Sequence, residues 1–199
     1  FWNIISKKEG SIIMIIERKE YLEKLIAWKD KQLIKIVTGV RRCGKSMLLE
    51  IYRNYLKEHG IEEEQIISIN FEDLDYEELT DYRKLYKYLK KRLIDGKMTY
   101  IFLDEVQNVT DFPKVLDSLY IKKNIDIYVT GSNAYMLSSE IATMISGRYI
   151  QIEMLPLSFK EYMESTGSMN DRGIKYAEYL QNSSFPFTLE LKNQPDEIR

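Results

Sequence analysis

The chain has 199 residues, enough for one ordinary domain and part of a second, and its 44% hydrophobic and 30% charged residues suit a globular protein with a sizeable core. A formal net charge of -2 gives no overall pull toward nucleic acid or anionic lipid. One cysteine, Cys43, and one histidine, His59, exclude an internal disulfide and a Cys/His metal cluster, and the apolar run at 12–16 is too short to span a bilayer. The run also lacks the small-residue cleavage site of a signal peptide, so the expected setting is cytoplasmic, with no membrane partner.

Residues 1–13 read unlike the rest, with Met14 as a candidate native start. From 15 to 28, Tyr21, Leu22, Leu25 and Ile26 recur at helical spacing. The apolar run 33–37 reads as a strand, followed by a loop at 39–44 and a helix from Lys45. Met47, Leu48, Ile51 and Leu56 line that helix, which ends near His59 and Gly60. A second strand follows at 66–71. The stretch 76–94 is expected to be one helix with Leu79, Leu85, Tyr86, Leu89 and Leu93 on its apolar face. A third strand, 99–103, leads into Asp104 and Glu105, and a helix is expected at 113–120. A fourth strand, 126–130, runs into Gly131, Ser132 and Asn133. Another helix reaches about Ile145, and a fifth strand occupies 149–153.

Strands alternating with helices imply an α/β fold, a five-stranded parallel sheet between helices. Chemistry in such sheets gathers at the carboxyl ends of the strands. Beyond Leu155 the pattern changes to short helices at 158–165 and 172–181, then a weakly periodic tail. The expected organisation is therefore an upstream segment at 1–13, a core at 14–155, and at 156–199 the start of a helical lid or linker to a further domain.

GVRRCGKS at 39–46 fits G-x-x-x-x-G-K-[ST] at every fixed position. Its glycines let successive backbone N–H groups turn inward toward phosphate oxygens, and the helix behind adds partial positive charge. The expected cradle is Gly39, Val40, Arg41, Arg42, Cys43, Gly44, Lys45, Ser46 and Met47. Lys45 would bridge the β- and γ-phosphates of ATP, and the Ser46 hydroxyl would ligate Mg²⁺. Arg41 and Arg42 either touch phosphate or a partner, or are solvated. Cys43 fills a variable position and reads first as a small tolerated side chain; alternatively, the helix dipole lowers its pKa, so that thiol reagents would block nucleotide binding.

The third strand ends in two carboxylates. Asp104 suits the Mg²⁺ water shell opposite Ser46, and Glu105 suits polarisation of an attacking water. Asn133 either orients that water or contacts the γ-phosphate, or is a turn residue before a helix whose N-cap is Ser132 or Asn133. Arg148 either reaches a neighbouring subunit's γ-phosphate as an arginine finger, in a homo-oligomer, or is a surface charge. Glu72 and Asp73 add carboxylates at the rim, and Lys90, Lys91 and Arg92 read as solvated.

Taken in order, GVRRCGKSMLL, INFED, YIFLDEVQNV, VTGSNAYML and SGRYIQIEMLPLSFKEY resemble the AAA+ P-loop NTPases, most closely the prokaryotic "AAA domain, family 14" ATPases, from about Ile15 to Tyr162. The resemblance implies that residues 39–46 are Walker A, Asp104 and Glu105 Walker B, Asn133 the sensor-1 region and Arg148 a Gly-Arg element before the last core strand. Adenine selectivity also rests on it. Members often continue into winged-helix and nuclease-like parts, so DNA is a possible partner by resemblance, one that this segment by itself does not support. Near Phe185 and Pro186 the family has Gly-Gly-Phe-Pro, where this chain has serines.

The leading expectation is an Mg²⁺-dependent ATPase driving a conformational change. A low-turnover nucleotide switch governing a partner or attached domain is the alternative. A small-molecule kinase would use the same loop, but the Asp104–Glu105 pair and the lack of an obvious acceptor site oppose it.

Overall fold

A computed structural model describes residues 5–8, 11–14, 16–132, 145–166, 171–181 and 184–186. Strands β1 (Ile5–Lys8) and β2 (Ser11–Met14) pair as an antiparallel hairpin. Next come helix α1 (Lys19–Ala27), strand β3 (Ile34–Gly39), helix α2 (Lys45–Glu58) and strand β4 (Ile66–Asn70). Helix α3 (Tyr82–Lys90), strand β5 (Thr99–Asp104), helix α4 (Phe112–Tyr120), strand β6 (Ile125–Gly131) and strand β7 (Tyr149–Met154) complete the core. Two further helices, α5 (Phe159–Thr166) and α6 (Arg172–Gln181), form the C-terminal appendage. Asn133, the helix expected before Ile145 and most of the tail from 182 lie outside the described residues.

Five strands form one parallel sheet in the order β4-β5-β6-β3-β7. Alternate side chains point to opposite faces, as the two-residue period of a strand requires. On one face Ile34, Ile36, Ile101, Leu103, Ile127 and Val129 are buried with Leu85 and Leu89 of α3 and Leu116 and Leu119 of α4. On the other, Val37, Phe102, Tyr128 and Ile152 are buried with Leu25 of α1 and Leu48, Leu49 and Tyr52 of α2. Strand β6 therefore separates β3 from β5, and its carboxyl end lies between the loop after β3 and the acids at the end of β5.

The register aligns those ends. Thr38 of β3 pairs with Gly131 of β6, and Leu103 of β5 pairs with Val129. Both strands thus finish within a residue or two of the end of β6.

The single helix expected at 76–94 is instead two elements. A 3-10 turn covers Leu74–Thr80 and α3 begins at Tyr82. Between them Asp81 holds an extended backbone (φ -79°, ψ 121°), and its carboxylate accepts the N–H groups of Arg83 at 2.9 Å and Lys84 at 3.0 Å. An aspartate competes this way with helix propagation and so starts a helix rather than continuing one.

Candidate functional site

The loop after β3 is built around two glycines. At Gly39 an added Cβ would lie 2.4 Å from the Met154 carbonyl oxygen of the adjoining β7 and 2.8 Å from Cys43 Sγ. Gly44 has φ +102° and caps α2, a left-handed conformation that glycine takes without steric cost. Arg42 also lies in the left-handed region, at φ 67°. Val40, Arg41, Arg42, Ser46 and Met47 are exposed, whereas Cys43 and Lys45 are buried.

Lys45 leaves the first turn of α2 and runs back beneath the loop. Its Nζ donates to the carbonyls of Gly39 at 3.3 Å and Val40 at 3.4 Å. The same ammonium lies 3.3 Å from Glu105 Oε1, so residues sixty positions apart meet at one point. Only 3% of the Lys45 side chain and 13% of the Glu105 side chain are exposed, so the pair is poorly screened by water.

Glu105 is held on other sides as well. Its backbone is left-handed, φ 53° and ψ 49°, which turns the chain sharply out of β5. Gln107 Nε2 donates to Glu105 Oε2 at 2.5 Å, and the buried Gln107 Oε1 makes no hydrogen bond among the described residues. Thr130, near the end of β6, accepts the Glu105 N–H at 2.9 Å and donates its own hydroxyl to Asp104 Oδ1. One threonine thereby orders both acids.

Asp104 is 8% exposed, with its carboxylate at the carboxyl end of β5. Ser46, on the first turn of α2, is exposed. Arg41 pairs with Glu72 at 3.1 Å, an exposed contact of little energetic weight.

One of the two readings of Cys43 changes. Cys43 is fully buried, and burial pushes its thiol up against the pull of Lys45 and Arg18, so no helix-lowered, reagent-accessible thiol exists here. Arg148 does not join the cluster. It precedes β7, whose first residue Tyr149 pairs with Ile34, the first residue of β3. That places Arg148 at the amino end of the sheet, a strand length of roughly 17 Å from the loop. There it pairs with Asp117 and lies 5.3 Å from the Tyr120 ring centroid.

Sequence reading passed over two side chains beside the cluster, Gln107 and Arg18. Gln107 carries only the signal of a polar residue two places after Glu105. Arg18 reads as an ordinary charge at a helix start, yet it is 3% exposed and donates to the Cys43 carbonyl.

Among the described residues, no helix is long and apolar enough to cross a membrane. A family model for an AAA domain matches residues 31–163. An uncharacterized protein of Haemophilus influenzae is 39% identical over 178 residues, which cover 86% of this chain and 44% of that protein. An uncharacterized protein of Methanocaldococcus jannaschii is 37% identical over 136 residues, covering 66% of this chain and 28% of its own length. The chain thus spans less than half the length of either relative.

Among solved structures, a Walker-type ATPase of Pyrococcus abyssi superposes with a TM-score of 0.61 at 18% identity, over 92% of this chain and 70% of that one. The Aeropyrum pernix Orc1 protein, solved in complex with DNA, gives 0.54 at 11% identity, over 83% and 50%. At such identities these likenesses speak for the fold alone. With the sheet order, the loop and the paired acids in place, the family match over residues 31–163 completes the assignment: the chain belongs to the AAA domain family 14, a group of AAA-like P-loop ATPase domains.

Proposed function

We propose that this chain binds ATP with Mg²⁺ and hydrolyses it, with Glu105 as the general base. The observation that carries the reading is the 3.3 Å contact between Lys45 Nζ and Glu105 Oε1, which brings the phosphate loop and the acidic strand end to one buried spot. The loop N–H groups and Lys45 supply positive potential for a polyphosphate. Val40, Arg41 and Arg42 flank it on the exposed side. The Ser46 hydroxyl and the Asp104 carboxylate are hard oxygen donors of the kind Mg²⁺ takes, and these two residues would hold it. Once bound, Mg²⁺ supplies charge neutralisation on the phosphate oxygens. Glu105 then has a single chemical task, to accept a proton from water at its carboxylate.

Asn133 belongs to the proposal as a water-orienting residue through the family resemblance. Arg148, a strand length away, enters the proposal as an arginine finger in trans, toward the site of a neighbouring copy, with the surface charge paired to Asp117 as its alternative. Energy from turnover would drive a conformational change.

A second reading, the slow nucleotide switch, draws support from one feature. Both Glu105 oxygens are engaged, one by Lys45 and the other by Gln107, so the base is restrained within the fold.

The test is Glu105→Gln. Phosphate release should fall by roughly 10²-fold or more while ATP binding persists. Turnover left at the wild-type rate would remove Glu105 as the base. A wild-type protein that retains nucleotide through purification and releases almost no phosphate would favour the switch.

A further inference from the structure

Arg18 is a buried cation outside the cluster just described. Its backbone is left-handed, φ 48°, at the start of α1, and its guanidinium lies 4.8 Å from the Tyr21 ring centroid. Three groups from distant parts of the chain receive it. Nη1 donates to the Cys43 carbonyl at 3.1 Å, and Nη2 donates to the Leu155 carbonyl at 2.5 Å. Nε lies 2.9 Å from Glu161 Oε1 on α5.

Glu161 is itself committed to α5. Its other oxygen accepts both the Ser158 N–H and the Ser158 hydroxyl at 2.8 Å, and the Glu161 N–H returns to Ser158 Oγ at 3.3 Å. That is a capping box, so one carboxylate both starts α5 and holds Arg18. The appendage approaches the loop from another side too. Leu157 N–H donates to the Ser184 carbonyl at 2.7 Å, and a Cβ on Gly44 would meet Pro186 Cγ at 3.7 Å.

The peptide after Cys43 gives the contact its consequence. In a trans peptide the C=O and the following N–H point in opposite directions. Fixing the Cys43 carbonyl on Arg18 therefore aims the Gly44 N–H the other way, away from the guanidinium.

We propose that Arg18 is a positioning residue. Its guanidinium fixes the Cys43–Gly44 peptide for phosphate binding and ties that peptide, through Leu155 and Glu161, to helix α5, so that nucleotide occupancy is felt in the appendage. This rests on the nucleotide-binding reading above. Only arginine has a planar fork of donors that serves two carbonyls while its charge pairs with a carboxylate, so lysine does not replace it.

The test measures MgADP affinity by calorimetry and hydrogen exchange at residues 159–166, with and without MgADP, in this chain and three variants. In the wild type MgADP slows exchange in α5. Arg18→Met weakens MgADP by about tenfold or more, as loss of a charge-assisted hydrogen bond implies, and leaves α5 indifferent to it. Arg18→Lys restores neither property. Glu161→Gln binds MgADP within about threefold of the wild type, yet loses the α5 response.

Wild-type affinity in Arg18→Met, or nucleotide binding that leaves wild-type α5 unchanged, overturns the inference alone. Failure of the wild type to bind MgADP overturns the nucleotide reading and this inference with it. Should Arg18→Met fold poorly, Glu161→Gln decides: an α5 response equal to the wild type's sinks the coupling.

Discussion

The two loop glycines are fixed for different reasons, and alanine separates them. At Gly39 a methyl would strike the Met154 backbone oxygen at 2.4 Å, and a backbone atom of the neighbouring strand cannot swing aside. Gly39→Ala should cost about 1–3 kcal/mol in urea denaturation, the range for overpacking, and deform the β3–β7 edge. At Gly44 the methyl would find ordinary contact with Met154 Cε at 3.5 Å, so the cost comes from φ +102° and should be about 1–2 kcal/mol. If Gly39→Ala proved the milder of the two, the packing argument would be wrong. Both glycines stand out in the sequence as motif positions, but the reason for Gly39 lies on β7, 115 residues away, and no local pattern carries it. Cys43 teaches the same lesson in reverse. Its place before a helix allows an activated thiol beside the plainer reading of a small tolerated side chain, and its burial, which pushes the thiol up, decides for the second. It should react with a disulfide reagent such as DTNB only when the protein unfolds, and rapid labelling of the native protein would contradict the buried placement.

Among the elements, the strands were the most legible, because each apolar run is short and bounded by polar or glycine residues. The sheet order was not legible, since alternation says that strands are parallel without saying which lie side by side. The helix boundary at Asp81 was missed for a physical reason. The apolar face of 76–94 continues in phase across Asp81, while the feature that breaks it is a side-chain hydrogen bond to the backbone. Those bonds, first the Lys84 N–H and then the Arg83 N–H, hold the Asp81 carboxyl below its ordinary value. A depressed folded pKa means stability that is present above the unfolded pKa of about 3.9 and is lost as pH falls through the folded value. Asp81→Ala should therefore lower the urea midpoint at pH 7 and converge with the wild type under acid conditions. Asp81→Asn, which still caps, should lie between the two at neutral pH; a midpoint deficit that stayed constant into acid would reject the ionised cap.

At the scale of the molecule, the candidate site occupies one end of the sheet and a buried polar network the other. Lys35, near the start of β3, donates to Asp126, near the start of β6, and to the Lys31 carbonyl at 2.7 Å. Asp126 also accepts the Asp30 N–H at 2.8 Å and the Tyr128 hydroxyl at 2.8 Å; Tyr52 of α2 then bonds Tyr128 at 2.9 Å, and Tyr100 of β5 donates to Asp30 at 2.7 Å. Three strands, a helix and the turn after α1 are thus joined by groups that composition alone would assign to the surface. Lys35 and Asp126 are each at most 1% exposed, and burial is the leading influence on both: it pushes the Asp126 carboxyl up and the Lys35 ammonium down, against their mutual attraction. Removing one partner is the severe change, because the other charge stays buried alone. Lys35→Met should cost roughly 3–5 kcal/mol at neutral pH. The sign with pH follows from the raised carboxyl. Once the ammonium is gone, the folded pKa of Asp126 lies still further above its unfolded value of about 3.9, so the neutral acid is the form the fold prefers. Stability from that form is fully present below the unfolded pKa and is lost as pH rises through the folded one. The deficit of Lys35→Met relative to the wild type should accordingly be small near pH 4 and grow to its full size toward pH 8, as read from urea midpoints across that range. A deficit that grew on acidification would mean that the variant's carboxylate had found another cation or reached water, and that Lys35 is not the partner that keeps Asp126 charged inside the fold.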